Sequence, residues 1–272
     1  MKNQVFSAIL FGLLAFPIFS QTKDEAIFIE KNKIELAETP SETVLRIAKS
    51  FLKTPYVAST LEINETEQLV CNLSELDCFT FDENVLALYL TKKGNSNSYA
   101  DFQEILTQLR YRNNKIDGYA SRLHYFTEWV RQAEKNNFIK DITLEIGGEI
   151  TNKEVHFMSK NQKLYPKIND EKTLKTIVQN EEKINKKRLS QIEKTKVASV
   201  ESKIKEGDFI AMTSTIEGLD CNHVGIAILV KDRIHLLHAS SSLKKVVISE
   251  KPLADYLQGI KKDAGIMVLR VL

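Results

Sequence analysis

The sequence predicts an α+β protein in which helices come first and an antiparallel sheet follows. Three observations carry this. Before residue 206 the chain is dominated by helical stretches. After Glu206-Gly207-Asp208 it changes to short β-branched runs separated by turn residues. Gly (10) and Pro (5) are too scarce for an all-β chain rich in tight turns.

The first segment stands apart. Lys2 precedes an apolar run from Val5 to Phe19, and Ile18-Phe19-Ser20 is an acceptable cleavage site, so residues 1–20 read as a secretory signal peptide. The uncharged run from Asn3 to Gln21 is near bilayer length, which makes an uncleaved anchor the alternative. No Cys follows it to carry a lipid, and no later stretch is apolar enough to span a bilayer. The expectation is a periplasmic or secreted protein with one domain over residues 21–272.

A charged helix is expected near 24–37, broken by Thr39-Pro40 and followed by a second with Val44, Ile47, Ala48 and Phe51 on one face, which Ser41 can cap and Thr54-Pro55 ends. Residues 67–73 suit a short strand. Helices follow near 78–90, 100–111 and 122–135, then a long lysine-rich one over 170–195. Phe209–Thr213, Asn222–Val230, Ile234–Ser240, Lys244–Ile248 and Ile266–Val271 read as an antiparallel meander. Residues 95–205 are a polar, helical elaboration on this core.

Composition narrows function. With 272 residues, 43% hydrophobic and 27% charged, the chain is neither disordered nor a membrane bundle. A formal charge of +2 offers no field for nucleic acid. The basic stretch Lys183–Lys196 is interleaved with acids and reads as a solvated face. Three cysteines, Cys71, Cys78 and Cys221, leave at least one thiol free even after export, so each deserves a test as a nucleophile.

Cys78 has the best setting. Asp77 is a natural N-cap, so Cys78 falls in the first helical turn, where the helix dipole favours thiolate and lowers the thiol pKa. Cys78, Phe81, Val85 and Leu88 follow helical spacing, which turns the sulfur toward the sheet. Locally, a nucleophile and a buried structural Cys fit equally well.

Two histidines favour the nucleophile. Alternation along Asn222–Ile228 puts His223, Gly225 and Ala227 on one strand face, small enough to take a helix at close range. A two-residue turn at Lys231-Asp232 pairs Val230 with Arg233 and sets His238 opposite Gly225, diagonal to His223. His238 can then hold the His223 ring as a triad's third member does. A three-residue turn would put His238 on the wrong face. His235 points away and reads as surface.

These residues resemble a known family. Asp77-Cys78-Phe79-Thr80-Phe81, preceded by Val70-Cys71-Asn72-Leu73, is similar to the nucleophile motif of the DUF1460 family, an amidase branch of the papain-like NlpC/P60 cell-wall hydrolases. Thr54-Pro55-Tyr56-Val57, Ser121-Arg122-Leu123-His124-Tyr125-Phe126, Gly218-Leu219-Asp220 leading to His223-Val224-Gly225, and His235–Ser240 match in the same order, over about residues 42–271. Thr54 departs from the family's usual Gly before Pro-Tyr, and Cys71 and Cys221 are atypical.

The resemblance implies a papain-like fold and an N-acetylmuramoyl-L-alanine amidase that needs no cofactor or metal. It implies small muropeptides, especially 1,6-anhydro forms, as substrates. A monomer with no stable membrane insertion after signal cleavage is expected. Cys78 would attack, His223 would move the proton and His238 would orient His223. Tyr56 would lend its hydroxyl or serve as a packed aromatic. Arg122 and His124 would hold a peptide carboxylate or sugar, and Tyr125 would stack on a sugar or sit in the core. Asp220 reads as structural, steadying the turn before His223.

Three alternatives remain open. Cys221-x-His223 with His238 could ligate zinc, although no Cys-x-x-Cys or His-Glu-x-x-His spacing accompanies them. An endopeptidase cutting the γ-D-glutamyl–diamino acid bond would use the same groups. A catalytically inactive cell-wall binding module would use none of them.

Overall fold

The computed structural model describes residues 22–272; the expected signal peptide lies outside them. Helices α1 (Lys23–Lys31) and α2 (Pro40–Ser50) are capped by the hydroxyls of Thr22 and Thr39. The cap of the second is thus Thr39, with Pro40 in the first turn where its missing N–H costs nothing. Helix α3 (Cys78–Lys93) starts at a capping box: Asp77 Oδ1 accepts from the Thr80 N–H at 2.8 Å and Thr80 Oγ1 accepts from the Asp77 N–H at 2.9 Å. Helices α4 (Tyr99–Arg110) and α5 (Phe126–Lys135) follow.

The elaboration then differs from its expected form. It carries three strands, β1 (Ile139–Asp141), β2 (Glu149–Ile150) and β3 (Ser190–Glu193), beside helices α6 (Phe157–Lys160), α7 (Glu171–Asn185) and α8 (Val197–Val200). The long helix expected over 170–195 therefore ends at Asn185. The strand expected over 67–73 is absent: side chains from Arg110 and Tyr111 take the carbonyls of Val70 and Gln68, at 2.6 and 3.0 Å, in place of a partner strand.

Strands β4 (Phe209–Ser214), β5 (Cys221–Val230), β6 (Arg233–Ser240) and β7 (Lys245–Ile248) form the expected antiparallel run. Helix α9 (Leu253–Gln258) then leads to β8 (Asp263–Val271), which returns beside β4. The sheet order is β2-β3-β8-β4-β5-β6-β7, with β1 also on β8. The result is a mixed α+β fold with helices on both faces of an antiparallel sheet.

One face packs on α2 and α3 through Val224, Ile226, Ile228 and Leu237, meeting Ile47, Phe81 and Val85. The other packs on α9 through Met212, Ala227 and Leu236, meeting Leu253 and Leu257. This corrects the expected orientation of β5. Its large side chains face α3, which bears Cys78, and its small face turns to α9. The space at Gly225 is taken by His238, whose Cβ would lie 2.9 Å from a Cβ built there. No helix among the described residues is long and apolar enough to cross a membrane.

Candidate active site

The β5–β6 hairpin sets the histidines. Val230 pairs with Arg233 across Lys231 and Asp232, both at positive φ (49° and 63°), as a two-residue hairpin turn of type I′ demands. The register puts His223 and His238 side by side. His223 Nε2 lies 2.6 Å from His238 Nδ1, with the rings nearly perpendicular at 86°. A neutral imidazole carries one N–H, so this bond can leave His223 Nδ1 unprotonated and ready to take a proton. Burial pushes the pKa of both rings down, His223 to about 3 with help from His238, and His238 to about 4. At neutral pH the pair is uncharged.

Cys78 reaches β5 from the opposite face of the sheet. The β5–β6 ladder stops at Ile226–Leu237, while β6 goes on with β7 to Ser240–Lys245. The strands part there, and the Cys78 sulfur meets the Val224 backbone N–H, one residue from His223. The predicted depression of the thiol pKa is not found. Burial pushes it up to about 12, with the charges of Asp77 and Asp82 adding to the rise and the N–H groups of Val224 and Phe79 opposing it. Desolvation by the surrounding protein outweighs the helix dipole, although Cys78 is only partly buried. At neutral pH Cys78 is a thiol and the two imidazoles are neutral.

Tyr56 stands beside this sulfur. Residues 53–56 run along the outer edge of β7, where Lys53 donates to Val246 O at 2.9 Å and Tyr56 N–H donates to Lys244 O at 3.0 Å. The segment also pairs Tyr56 with Leu76, two residues before Cys78. Burial, then Cys78 and Asp77, push the phenol up to about 12, so it remains an O–H donor.

A cavity of about 550 Å³ opens next to Cys78, with Asp77 and Phe79 on the near side and Tyr119, Arg122, His124 and Tyr165 on the far side. The far wall comes from the elaboration. His124 Nε2 bonds Tyr119 O at 2.9 Å, and its ring packs on Tyr119 with centroids 4.4 Å apart. Asp220 ties this wall to β5, accepting from the Thr127 and Cys221 N–H groups, both at 2.7 Å. Its predicted structural role is what the geometry gives.

Two expected contacts change. Arg122 is 4% exposed and ion-paired with Glu62 and, at 3.6 Å, Glu67, while Nη1 donates to Leu61 O at 3.2 Å. Its charge is neutralised inside the protein, so it lines the cavity without offering a free cation to a carboxylate. Tyr125 is 3% exposed, its hydroxyl donating to Glu181 Oε1 and accepting from Met158 N–H, both at 2.7 Å. It is a core residue and no sugar can stack on it.

His235 is buried rather than on the surface, with Nδ1 at 2.7 Å from Ser249 O. Cys71 and Cys221 are free thiols. Among the described residues, no three His, Cys, Asp or Glu side chains are grouped to hold a metal ion. Tyr119 and Tyr256 escaped the sequence reading. Tyr256 lies in a six-residue helix remote from every motif, yet its ring sits 5.6 Å from that of His238.

Similar proteins agree on the whole. An N-acetylmuramoyl-L-alanine amidase from Bacteroides uniformis superposes with a TM-score of 0.80 at 37% identity, over 86% of this chain and 99% of that one. A Bacteroides fragilis protein carrying the provisional name xylanase gives 0.77 at 37%, over 83% and 99%. A DUF1460 protein from Legionella pneumophila shares the fold, with a TM-score of 0.71 at 24% identity over 93% and 94%. Comparison with curated proteins gives no match. The family model described as AmiA-like, N-acetylmuramoyl-L-alanine amidase-like, matches residues 46–266. The chain belongs to this amidase-like family, as the DUF1460 resemblance implied.

Proposed function

We propose that the protein is a papain-like cysteine amidase that cuts the amide between the lactyl group of N-acetylmuramic acid and L-alanine in small muropeptides, 1,6-anhydro forms above all. The observation that carries this reading is the His223–His238 bond beside the strand opening that receives Cys78. The family and the Bacteroides uniformis amidase supply the bond type.

Cys78 attacks the lactyl carbonyl as His223 Nδ1 takes the thiol proton. For this, His223 Nε2 keeps its hydrogen and donates it to His238 Nδ1. The imidazolium formed is short-lived, because burial disfavours its charge, and it passes the proton to the alanine nitrogen as the C–N bond breaks. The oxyanion takes the Cys78 backbone N–H and the Tyr56 hydroxyl as donors. Water then hydrolyses the thioester, returning the thiol.

The cavity walled by Tyr119 and His124 suits an uncharged sugar or peptide backbone, since Arg122 is already paired. The elaboration that forms this wall would restrict the site to small fragments. Export by the N-terminal signal would put the enzyme in the periplasm or outside the cell, where it would act as a monomer. The test is product analysis of a defined muropeptide with the parent and with Cys78→Ala: release of a peptide beginning at L-alanine by the parent alone supports the reading.

A further inference from the structure

Helix α9 covers the face of the sheet that carries the histidine pair. Leu253, Ala254 and Leu257 anchor it on that face, among Leu236, Ala227 and Met212. Tyr256 projects from the same helix onto the site. Its ring meets His238 edge-on, with centroids 5.6 Å apart and an interplanar angle of 72°. Burial, followed by Asp263 and Cys78, raises the pKa of its phenol. His238 therefore touches His223 on one side and Tyr256 on another, and its neighbour on β7 is the uncharged Val247.

This matters because no other side-chain hydrogen bond holds His238 in place among the described residues: its Nδ1 bonds His223, and the residue is 2% exposed. An imidazole in a simple apolar slot can rotate about its terminal torsion, which is broad and two-fold. An aromatic ring packed edge-on restricts that rotation and prefers one relative orientation. The position of His238 Nδ1, and through it the tautomer of His223, then depends on α9.

We infer that Tyr256 is a positioning residue of the amidase site, its ring locking His238 in the orientation that lets His238 Nδ1 accept from His223 and keeping water off that bond. The inference rests on the functional reading above. It assigns the role to the ring, so phenylalanine should replace tyrosine without loss. It also gives the short α9 helix a purpose beyond covering the sheet.

The test needs no substrate, so its outcome is separate from that of the amidase reading. In the parent, NMR cross-relaxation should connect the Tyr256 ring protons with those of the His238 ring. Titrating the histidine C–H signals should then give a His238 pKa near 4 in the parent and in Tyr256→Phe. In Tyr256→Leu water reaches the ring, and the pKa should climb by roughly 1 unit or more toward its ordinary value. The pH profile of Cys78 alkylation by iodoacetamide should shift in Tyr256→Leu and stay parental in Tyr256→Phe. A general packing defect would not be rescued by Phe while moving a single histidine. No cross-relaxation in the parent, or a Tyr256→Leu protein with the parental His238 titration and alkylation profile, overturns the inference. If Tyr256→Leu fails to fold, the parental cross-relaxation still decides.

Discussion

At the scale of single residues, the site depends on groups held neutral by burial. Cys78, His223 and His238 all have their charged forms suppressed, which leaves a thiol and two neutral imidazoles at neutral pH. Tyr125 separates function from structure. Its motif invited a sugar-binding role, but its hydroxyl bridges Met158 and Glu181 inside the elaboration. Tyr125→Phe should therefore lower unfolding free energy by about 1–3 kcal/mol, the cost of leaving buried partners unpaired, and leave KM unchanged. Urea unfolding with steady-state kinetics checks both, and a raised KM at unchanged stability would restore the sugar contact.

At the scale of elements, register decides whether the site exists. The two-residue turn at Lys231-Asp232 places His238 on the face of His223. One Gly inserted between them should move the ring to the other face, lowering amide cleavage by about 100-fold or more while the sheet's circular dichroism persists. Parental activity would mean that a bulge absorbs the insertion. This register was legible in the sequence because Lys231-Asp232 is a two-residue polar break between two apolar runs. The cap at Asp77 was legible for a similar reason, since its hydrogen bonds are local. Which face met α3 was not. Small size at Gly225 suggested a helix contact, but a side chain from the neighbouring strand fills the space, and that depends on tertiary pairing. Strand β3 was hidden because four residues after a helical run gain their strand character from β8. Tyr256 left no local signal, being delivered by a helix whose position only the sheet defines.

At the scale of the molecule, the family accounts for most of the chain, and helices on both faces of one sheet converge on the place where β5 and β6 part. Cys78 arrives from one face, and the histidine pair lies under α9 on the other. Folding also tolerates a buried acid. Asp82, one turn after Cys78, is 1% exposed with neither carboxylate oxygen bonded, and burial followed by Glu83 raises its pKa well above the usual range. A raised folded-state pKa contributes stability below the unfolded value, near 3.8, that is lost as pH rises through the folded one. Asp82→Asn should match the parent in acid and gain on it with rising pH, by about 1.4 kcal/mol per unit until the folded pKa is passed. Urea midpoints across pH 4 to 8 measure this, and a pH-independent difference would contradict it.

The proposed reaction is defined by the bond cut and the atom that cuts it. Mass spectrometry of a purified 1,6-anhydro-muropeptide, incubated with the parent and with Cys78→Ala, tests both at once. An intact stem peptide beginning at L-alanine and the free anhydro-sugar are expected from the parent, and neither from Cys78→Ala. Cleavage inside the stem, or the same products from both proteins, would contradict it.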